Sequence, residues 1–259
     1  MIIGAYQFPL CGNVLRNLEF IKTAITEAAA KRARLLLLPE CALTGYPGED
    51  PKTIEGIDFA AAQDGICEIE ALSAAYDISI LCGTVERVGE TCYNSALLFS
   101  PNRHVKTLYR KRALWGWDVD HFSPGADESG IVEIDGFRIG VRICYEIRFP
   151  EYFRELFRQQ TDCAVVLFCD QSYEDSKERY DLILSHLRTR AVENVFPLVC
   201  VNSCADFQTA PSAAIDEDGV LQCELPRHQT GLLLFDLERK ETLSFSAQGR
   251  KRVSSKLVQ

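Results

Sequence analysis

The sequence predicts an α/β fold in which two β-sheets pack face to face and helices cover the outer faces. Short apolar segments typical of strands alternate with amphipathic segments typical of helices along the 259 residues. The order of segments also repeats, because LLLLPE, LCGTV and NSALLFSPNRHV are matched later in the chain by VVLFCD, LVCVNS and APSAAIDEDGVL. Two pseudosymmetric α-β-α-β-β halves that pack sheet against sheet give a layered sandwich. A single open, doubly wound sheet is the alternative architecture.

The first half begins with a strand predicted over residues 2–7 and an amphipathic helix predicted over 13–33. Asn13 is suited to cap that helix, since an Asn side chain accepts a hydrogen bond from the first turn. The run at 35–38 is apolar throughout, which is typical of a strand covered on both faces. It leads into Glu40, whose carboxylate is therefore predicted to lie at the carboxyl end of a strand.

A second helix is predicted over 55–76, and a strand over 78–84 follows it. A hairpin then joins arms at 93–100 and 104–110 through a Pro-Asn turn. Lys111 follows the second arm, so a cationic side chain is also predicted at a strand end.

The second half resembles the first in the order of its segments. In order, it is predicted to contain a hairpin at 135–136, a strand ending at 143, a helix over 151–159, a strand over 164–169, a helix over 177–194, a strand over 198–202 and a hairpin at 216–219. Cys144 directly follows the first of these strands. Asp170 follows the strand that the repeat matches to the one before Glu40.

Composition limits the classes of function. With 47% hydrophobic and 25% charged residues the chain is typical of a globular protein, and no linker divides it, so a single domain over 1–259 is expected. The net charge of −9 disfavours a nucleic-acid partner. No charged segment followed by a long apolar run opens the chain, and no run reaches membrane-spanning length. No membrane partner is therefore expected.

The 11 cysteines are an odd number, and many lie within apolar runs, as small core residues do in a reducing compartment. A cytoplasmic location is the corresponding prediction. No two cysteines are spaced as CxxC and the four histidines are scattered, so no zinc site is predicted.

Three strand ends carry reactive side chains: Glu40, Lys111 and Cys144. Ligands of α/β folds collect at the carboxyl ends of strands, so the three side chains are expected to converge. Together they comprise a nucleophile, a base and a cation. His104 and His121 remain alternative bases on spacing alone.

Several motifs carry a family resemblance, because PECALTGYP, YRK, FSPG, ICYEIRFPE and RAVEN resemble those of the nitrilase superfamily of carbon-nitrogen hydrolases, in the same order. The resemblance implies a four-layer αββα sandwich that forms a homodimer or a higher homo-oligomer. It also implies a catalytic triad of Glu40, Lys111 and Cys144, which are the same three residues that the strand ends indicate.

The resemblance implies a mechanism as well. Glu40 would take the thiol proton as Cys144 attacks an amide carbon, and would then protonate the leaving nitrogen. Lys111 and the backbone N–H of Tyr145 would stabilise the oxyanion. Water would hydrolyse the resulting thioester, with no metal and no organic cofactor required. The expected substrate is a small linear amide, either an ω-amide or an N-carbamoyl compound.

Two departures from the family pattern occur beside Lys111. Relatives carry a second glutamate before the FSPG-like segment, where this chain offers Asp118 or Asp120, and counting back from Phe122 favours Asp118. A solvated loop acid is the alternative interpretation. The segment KRAL also lacks the histidine that relatives often have there.

Four further residues are candidates for the substrate pocket: Tyr46, Trp115, Trp117 and Asp170. The aromatic residues could equally pack their own loops. Asp170 could bind an amine or cationic group, or could simply cap a helix. Arg148 and Glu151 are interpreted as an ion pair that holds the turn after Cys144.

Three functions remain open on sequence alone. The first is hydrolysis of the amide through a Cys thioester. The second is transfer of the acyl group to an amine, and the third is a catalytically weak relative that binds metabolites.

Overall fold

The computed structural model describes residues 1–102, 104–126, 129–205 and 207–257. Two six-stranded sheets pack against each other, and helices flank them. None of the helices within these ranges is long and apolar enough to cross a membrane.

Apart from the last strand in the sequence, each sheet is built from one continuous part of the chain. The first contains β1 (Ile2–Gln7), β2 (Leu35–Leu37), β3 (Ser79–Val88), β4 (Thr91–Ser100), β5 (His104–Arg110) and β12 (Gly231–Asp236). The second contains β6 (Ile131–Ile134), β7 (Phe137–Ile143), β8 (Cys163–Leu167), β9 (Leu198–Val201), β10 (Ala213–Ile215) and β11 (Leu221–Glu224). The helices are α1 (Val14–Ala30), α2 (Phe59–Tyr76), α3 (Asp118–His121), α4 (Pro150–Arg158), α5 (Lys177–Asn194) and α6 (Phe245–Leu257).

The strand orders confirm the predicted pseudosymmetry. They are β12-β1-β2-β3-β4-β5 and β6-β7-β8-β9-β10-β11 when both sheets are read from the corresponding edge. In each sheet three strands run parallel and the next two continue antiparallel. The edge strands β12 and β6 lie antiparallel to β1 and β7. The layered sandwich is therefore correct, and the single open sheet is wrong.

The apolar run of β2 shows how the layers are held together. Leu35 and Leu37 belong to the core between the two sheets, whereas Leu36 and Leu38 belong to the core under α1 and α2. Successive strand residues point to opposite faces, so a strand covered on both sides needs apolar residues at every position. In the second sheet, β8 divides its side chains between the inter-sheet core and the core under α4 and α5 in the same way.

Some element boundaries differ from the sequence prediction. The first helix ends at Ala30, and the helix predicted from 55 begins at Phe59, where Asp58 caps it by accepting a hydrogen bond from the Ala61 N–H. The strand predicted over 78–84 continues to Val88, because it forms a hairpin with β4 that turns at Gly89. These differences lie at the ends of the elements, where local signals are weakest.

The sheets bring their strand ends together at one edge of the sandwich. The backbone N–H of Glu40, beyond β2, donates to the carbonyl of Phe168, beyond β8, at 3.2 Å. β7 is the parallel neighbour of β8, with Ile143 opposite Leu167. The segment after β2 therefore meets the turn that follows β7.

Candidate active site

Cys144 begins a sharp turn at the end of β7. Its φ is 43°, in the left-handed region that residues other than glycine rarely adopt, and a short 3-10 helix spans Cys144–Arg148. The buried Glu146 carboxylate holds the turn, because it accepts hydrogen bonds from the backbone N–H groups of Ile143 at 2.8 Å and Arg112 at 2.9 Å. Strain of this kind persists only where the surroundings enforce it.

The same turn leaves a backbone donor beside the thiol. The N–H of Tyr145 is among the first donors of the helical turn, and such donors have no acceptor within the turn. Arg190 of α5 fixes the other end of the turn by donating to the carbonyls of Ile147 and Arg148, both at 3.0 Å. Arg190, in the RAVEN segment, therefore has a structural role in this turn.

Glu40 is completely buried, and both of its carboxylate oxygens accept hydrogen bonds. Oε1 accepts from Asn94 Nδ2 at 2.7 Å and Lys111 Nζ at 2.9 Å, and Oε2 accepts from the Cys169 N–H at 2.8 Å. Gly83 permits this placement, since a Cβ there would lie 2.6 Å from the Glu40 Cα. The three donors compensate for the burial of the charge.

The Lys111 ammonium lies between two carboxylates, 2.9 Å from Glu40 Oε1 and 2.7 Å from Asp118 Oδ2. Burial lowers its pKa, but the charges of Glu40 and Asp118 outweigh burial and hold that pKa well above the ordinary value. Lys111 is therefore a cation at neutral pH. Gly125 ties the following loop back to the lysine, because its N–H donates to the Lys111 carbonyl at 2.9 Å.

The structure distinguishes between the two loop acids. Asp118 is fully buried, whereas Asp120 is exposed. Asp118 also accepts a hydrogen bond of 2.6 Å from the hydroxyl of Tyr46. The shorter side chain reaches Lys111 because the loop after the lysine folds back as α3, and the missing histidine of KRAL leaves this arrangement intact.

Cys144 is electrostatically coupled to the same cluster. Burial raises the pKa of its thiol well above the ordinary value, and the carboxylates of Glu40 and Asp170 raise it further, while Lys111 acts in the opposite direction. A side-chain hydrogen bond with Glu40 also favours the protonated thiol. At rest, Cys144 is therefore a protonated thiol next to a carboxylate.

A cavity of about 550 Å³ opens onto these groups. Cys144, Lys111 and Tyr145 form its reactive end. Its other lining residues include Tyr46, Trp115, Arg148, Asp170 and Arg179. The volume suits a small molecule.

Trp117 was predicted as a pocket residue, but it does not line this cavity. Its ring stacks on His121, with ring centroids 3.7 Å apart, and packs against Gly48. It holds the loop down, which was the alternative interpretation. His121 faces Trp117, and His104 is exposed at the start of β5, so neither alternative base lies at the cavity.

The Arg148–Glu151 ion pair is also wrong: across the described ranges the Arg148 guanidinium forms no ion pair. Its side chain lines the cavity and lies near the ring of Tyr145, with 5.7 Å between Cζ and the ring centroid. Asp170 does not cap a helix, because the N-cap of α5 is Ser176.

Sequence reasoning missed Asn94, Glu146 and the backbone N–H of Cys169, which position the reactive groups. The sequence contains a signal for the first two. Asn94 is a polar residue within an apolar strand, and Glu146 is an acid two positions after Cys144; both residue types are unusual at buried sites. The Cys169 donor is a backbone group and leaves no trace in the sequence. Within the described ranges, no group of three or more His, Cys, Asp or Glu side chains is arranged to hold a metal ion.

Comparisons with known proteins agree with this architecture. The family model described as carbon-nitrogen hydrolase matches residues 2–245. A protein described as "Hydrolase in pqqF 5'region", from Pseudomonas protegens, is 34% identical over 212 residues, which cover 79% of this chain and 70% of that protein. The 2-oxoglutaramate amidase of Bacillus subtilis is 30% identical over 250 residues, covering 93% of this chain and 92% of the relative.

Among solved structures, an amidase from Nesterenkonia sp. AN1 superposes with a TM-score of 0.82 at 21% identity, and the match covers 99% of both chains. That likeness independently supports the αββα sandwich. Because the family match extends over almost the whole sequence, this chain belongs to the carbon-nitrogen hydrolase family.

Proposed function

We propose that this carbon-nitrogen hydrolase cleaves a small linear amide through a thioester on Cys144. The observation that carries the proposal is that Cys144, on its strained turn, lines the same cavity as Lys111, which is paired with the buried Glu40. The nucleophile, the base and the cation come from different strand ends, so their convergence is a property of the fold.

Acylation begins from the protonated thiol. Glu40 accepts the proton as Sγ attacks the amide carbon, so no free thiolate has to accumulate. The oxygen of the tetrahedral intermediate becomes negative and is stabilised by the Lys111 ammonium and the Tyr145 N–H. Glu40 then donates its proton to the nitrogen, the C–N bond breaks, and ammonia or an amine leaves.

Deacylation uses the same groups. Glu40 takes a proton from water, whose oxygen attacks the thioester carbon, and the C–S bond breaks to release the carboxylic acid. The proton returns to Sγ as the thiol is regenerated. Asp118 does not touch the reacting atoms in this scheme, but together with Tyr46 it holds the ammonium in position.

The lining of the cavity suits a substrate that carries an amide at one end and a carboxylate at the other. Arg148 presents a guanidinium without an ion-pair partner among the described residues, and guanidinium groups bind carboxylates through paired N–H donors. A relative aligned over nearly its full length is a 2-oxoglutaramate amidase. An ω-amide of a short dicarboxylic acid fits these observations better than an uncharged amide.

The test compares the wild-type protein with Cys144→Ala on succinamate, glutaramate and an N-carbamoyl amino acid, with ammonia release and intact protein mass as readouts. We expect ammonia release that the variant abolishes, with a transient acyl adduct on the wild-type protein. Unchanged turnover by Cys144→Ala would contradict the assignment of the nucleophile. An adduct that clears only when an amine is added would indicate acyl transfer, and the absence of both release and adduct would indicate a binding protein.

We further propose that the chain forms a cytoplasmic homodimer in which residues 1–259 constitute one domain. All 11 cysteines are free, which supports a reducing compartment. Sedimentation equilibrium measures the assembly, and a monomer at micromolar concentration would contradict the dimer. One cooperative thermal transition is expected of a single domain.

A further inference from the structure

One oxygen of Asp170 is left open at the cavity. The Asp170 Oδ1 atom accepts hydrogen bonds from Arg179 Nε at 3.2 Å, from Arg179 Nη2 at 2.8 Å and from the hydroxyl of Thr209. No donor in the described part of the chain reaches Oδ2. Asp170 is only 8% exposed and lines the cavity, so Oδ2 keeps its acceptor capacity in a largely desolvated place.

The residue is also rigidly held. Its backbone N–H donates to Asn202 Oδ1 at 2.9 Å, and its carbonyl accepts from Asn202 Nδ2 at 2.9 Å and from the Thr209 N–H at 3.0 Å. Backbone and side chain are therefore fixed before any ligand binds. Binding to a preorganised acceptor loses little conformational entropy.

Asp170 lies close enough to the reaction to contact the substrate. It lines the same cavity as Cys144, and its charge is one of the causes of the raised pKa of that thiol. A substrate held at Cys144 can therefore present a second group to Asp170.

The charges around the cavity favour a cation at this position. Glu49 and Asp50 line the cavity together with Asp170, while the cations among its described lining residues, apart from Lys111 at the reactive end, are Arg148 and Arg179. Arg179 is already paired with Asp170 through a single oxygen. The Arg179 side chain is 36% exposed, so solvent screening weakens its compensation of the Asp170 charge. An ammonium group near Oδ2 would gain a charge-assisted hydrogen bond.

We propose that Asp170 is a specificity-determining residue that binds a protonated amine of the substrate through Oδ2. The preferred substrate is then the ω-amide of an amino dicarboxylic acid, with its carboxylate at Arg148 and its amine at Asp170. This inference rests on the proposed amide hydrolysis and narrows its substrate class. Asp170 takes no part in breaking the C–N bond.

The experiment uses substrate pairs that differ only in the amine: glutamine against glutaramate, and asparagine against succinamate, with both enantiomers of each amino acid. Ammonia release gives kcat/KM for the wild-type protein and Asp170→Asn. The amide retains an oxygen for Arg179 and Thr209, while its NH₂ group replaces the open acceptor with a donor. Asp175→Asn is the matched control, because it removes a carboxylate paired with Arg227 outside the cavity.

We expect the wild-type protein to prefer one amine-bearing member of a pair by about tenfold or more, as a hydrogen bond to a charged group supplies. Asp170→Asn should abolish that preference, mainly through KM, and change kcat/KM for the other member less than about threefold. Asp175→Asn should leave the preference unchanged. In the wild-type protein the preference should also decline as pH rises through the pKa of the substrate amine, a readout that needs no variant.

Failure of this inference is distinguishable from failure of the proposed function. Cys144-dependent hydrolysis of glutaramate and succinamate without any preference for the amine overturns the role of Asp170 and leaves amide hydrolysis intact. An equal loss of activity on both members of a pair in Asp170→Asn makes the residue structural and also overturns the inference. No Cys144-dependent release from any amide overturns the proposed function itself.

Discussion

Glu40 and Asp170 occupy equivalent positions in the two halves of the molecule, and their surroundings are opposite. Each carboxylate lies three residues beyond its strand, after Leu37 of β2 and after Leu167 of β8. Glu40 is fully buried and accepts hydrogen bonds on both oxygens, whereas Asp170 accepts all of its side-chain hydrogen bonds on one. Equivalent positions in the two halves thus place a carboxylate in two different hydrogen-bonding environments.

The difference follows from what each half contributes. The first half contributes Lys111 and Asn94 to Glu40, and the second half contributes Cys144 and places Arg179 beside Asp170. A carboxylate next to an ammonium group and a thiol is suited to proton transfer. A carboxylate that lines the cavity with one open oxygen is suited to recognition.

The largest effect is expected from Glu40→Gln. The amide cannot accept the thiol proton, so kcat should fall by about a thousandfold or more. The Glu40 charge raises the pKa of Cys144, so its removal should lower that pKa and speed alkylation of Cys144 by iodoacetamide at neutral pH. Ammonia release and mass-resolved alkylation measure the two effects on the same sample.

The combination of a lower kcat and faster alkylation of Cys144 is specific to the Glu40 site. Asp170→Asn should leave turnover of amides that lack an amine nearly unchanged, although it too should lower the Cys144 pKa to a smaller extent. Slower alkylation in Glu40→Gln would show that the carboxylate does not oppose thiol ionisation, and would contradict the electrostatics of the site.

Asp118→Asn should have the next largest effect, about a hundredfold on kcat, because the ammonium loses one of its two anionic partners. Asp118 raises the pKa of Lys111, so its removal should lower that pKa. The Lys111 cation would then be lost at a lower pH than in the wild-type protein. The alkaline limb of the kcat–pH profile should accordingly move to lower pH, and an unmoved limb would contradict the role of Asp118.

Asn94→Ala should reduce kcat by about tenfold, because Glu40 loses one of three donors while Lys111 and the Cys169 N–H remain. The effect should appear in kcat more than in KM, since Asn94 does not line the cavity. Asn94 Oδ1 is buried without a donor among the described residues, so the variant also removes an unsatisfied group and should not lower the melting temperature strongly.

The smallest effect is expected from Thr209→Val on the Asp170 side of the comparison. It removes one of three hydrogen bonds on Oδ1 and leaves Oδ2 open, so the preference for an amine-bearing amide should change less than about threefold. A loss of preference as large as that of Asp170→Asn would mean that the orientation of the carboxylate matters more than its open oxygen.

Much of the fold, and the choice of Glu40, Lys111 and Cys144 as candidate residues, could be predicted because both depend on local signals. The apolar run of β2 and the matching run of β8 indicate strands covered on both faces, and Glu40, Lys111 and Cys144 follow directly from strand ends. Asp118 was also predictable as a candidate, since its spacing before the FSPG segment favours it over Asp120.

The remaining features depend on contacts between distant parts of the chain. Arg148 was expected to pair with Glu151 three residues away, yet it lines the cavity because Arg190 of α5 holds the carbonyls of its turn. Trp117 and Trp115 lie two positions apart in one loop, and only the stacking on His121 and the contact with Gly48 decide which of them faces away from the cavity. No periodicity in the sequence records such choices.

Apolar patterning and strand ends are encoded residue by residue, so the sequence alone predicts the α/β layering, the repeat and the three side chains proposed as nucleophile, base and cation. Which atoms of those side chains are free to act depends on the packing of the whole fold. Glu40 and Asp170 end equivalent strands, but the neighbours that occupy both oxygens of one and leave one oxygen of the other open come from segments far away in the chain. A carboxylate's function is set by the donors that packing brings to it, and packing is a property of the whole fold.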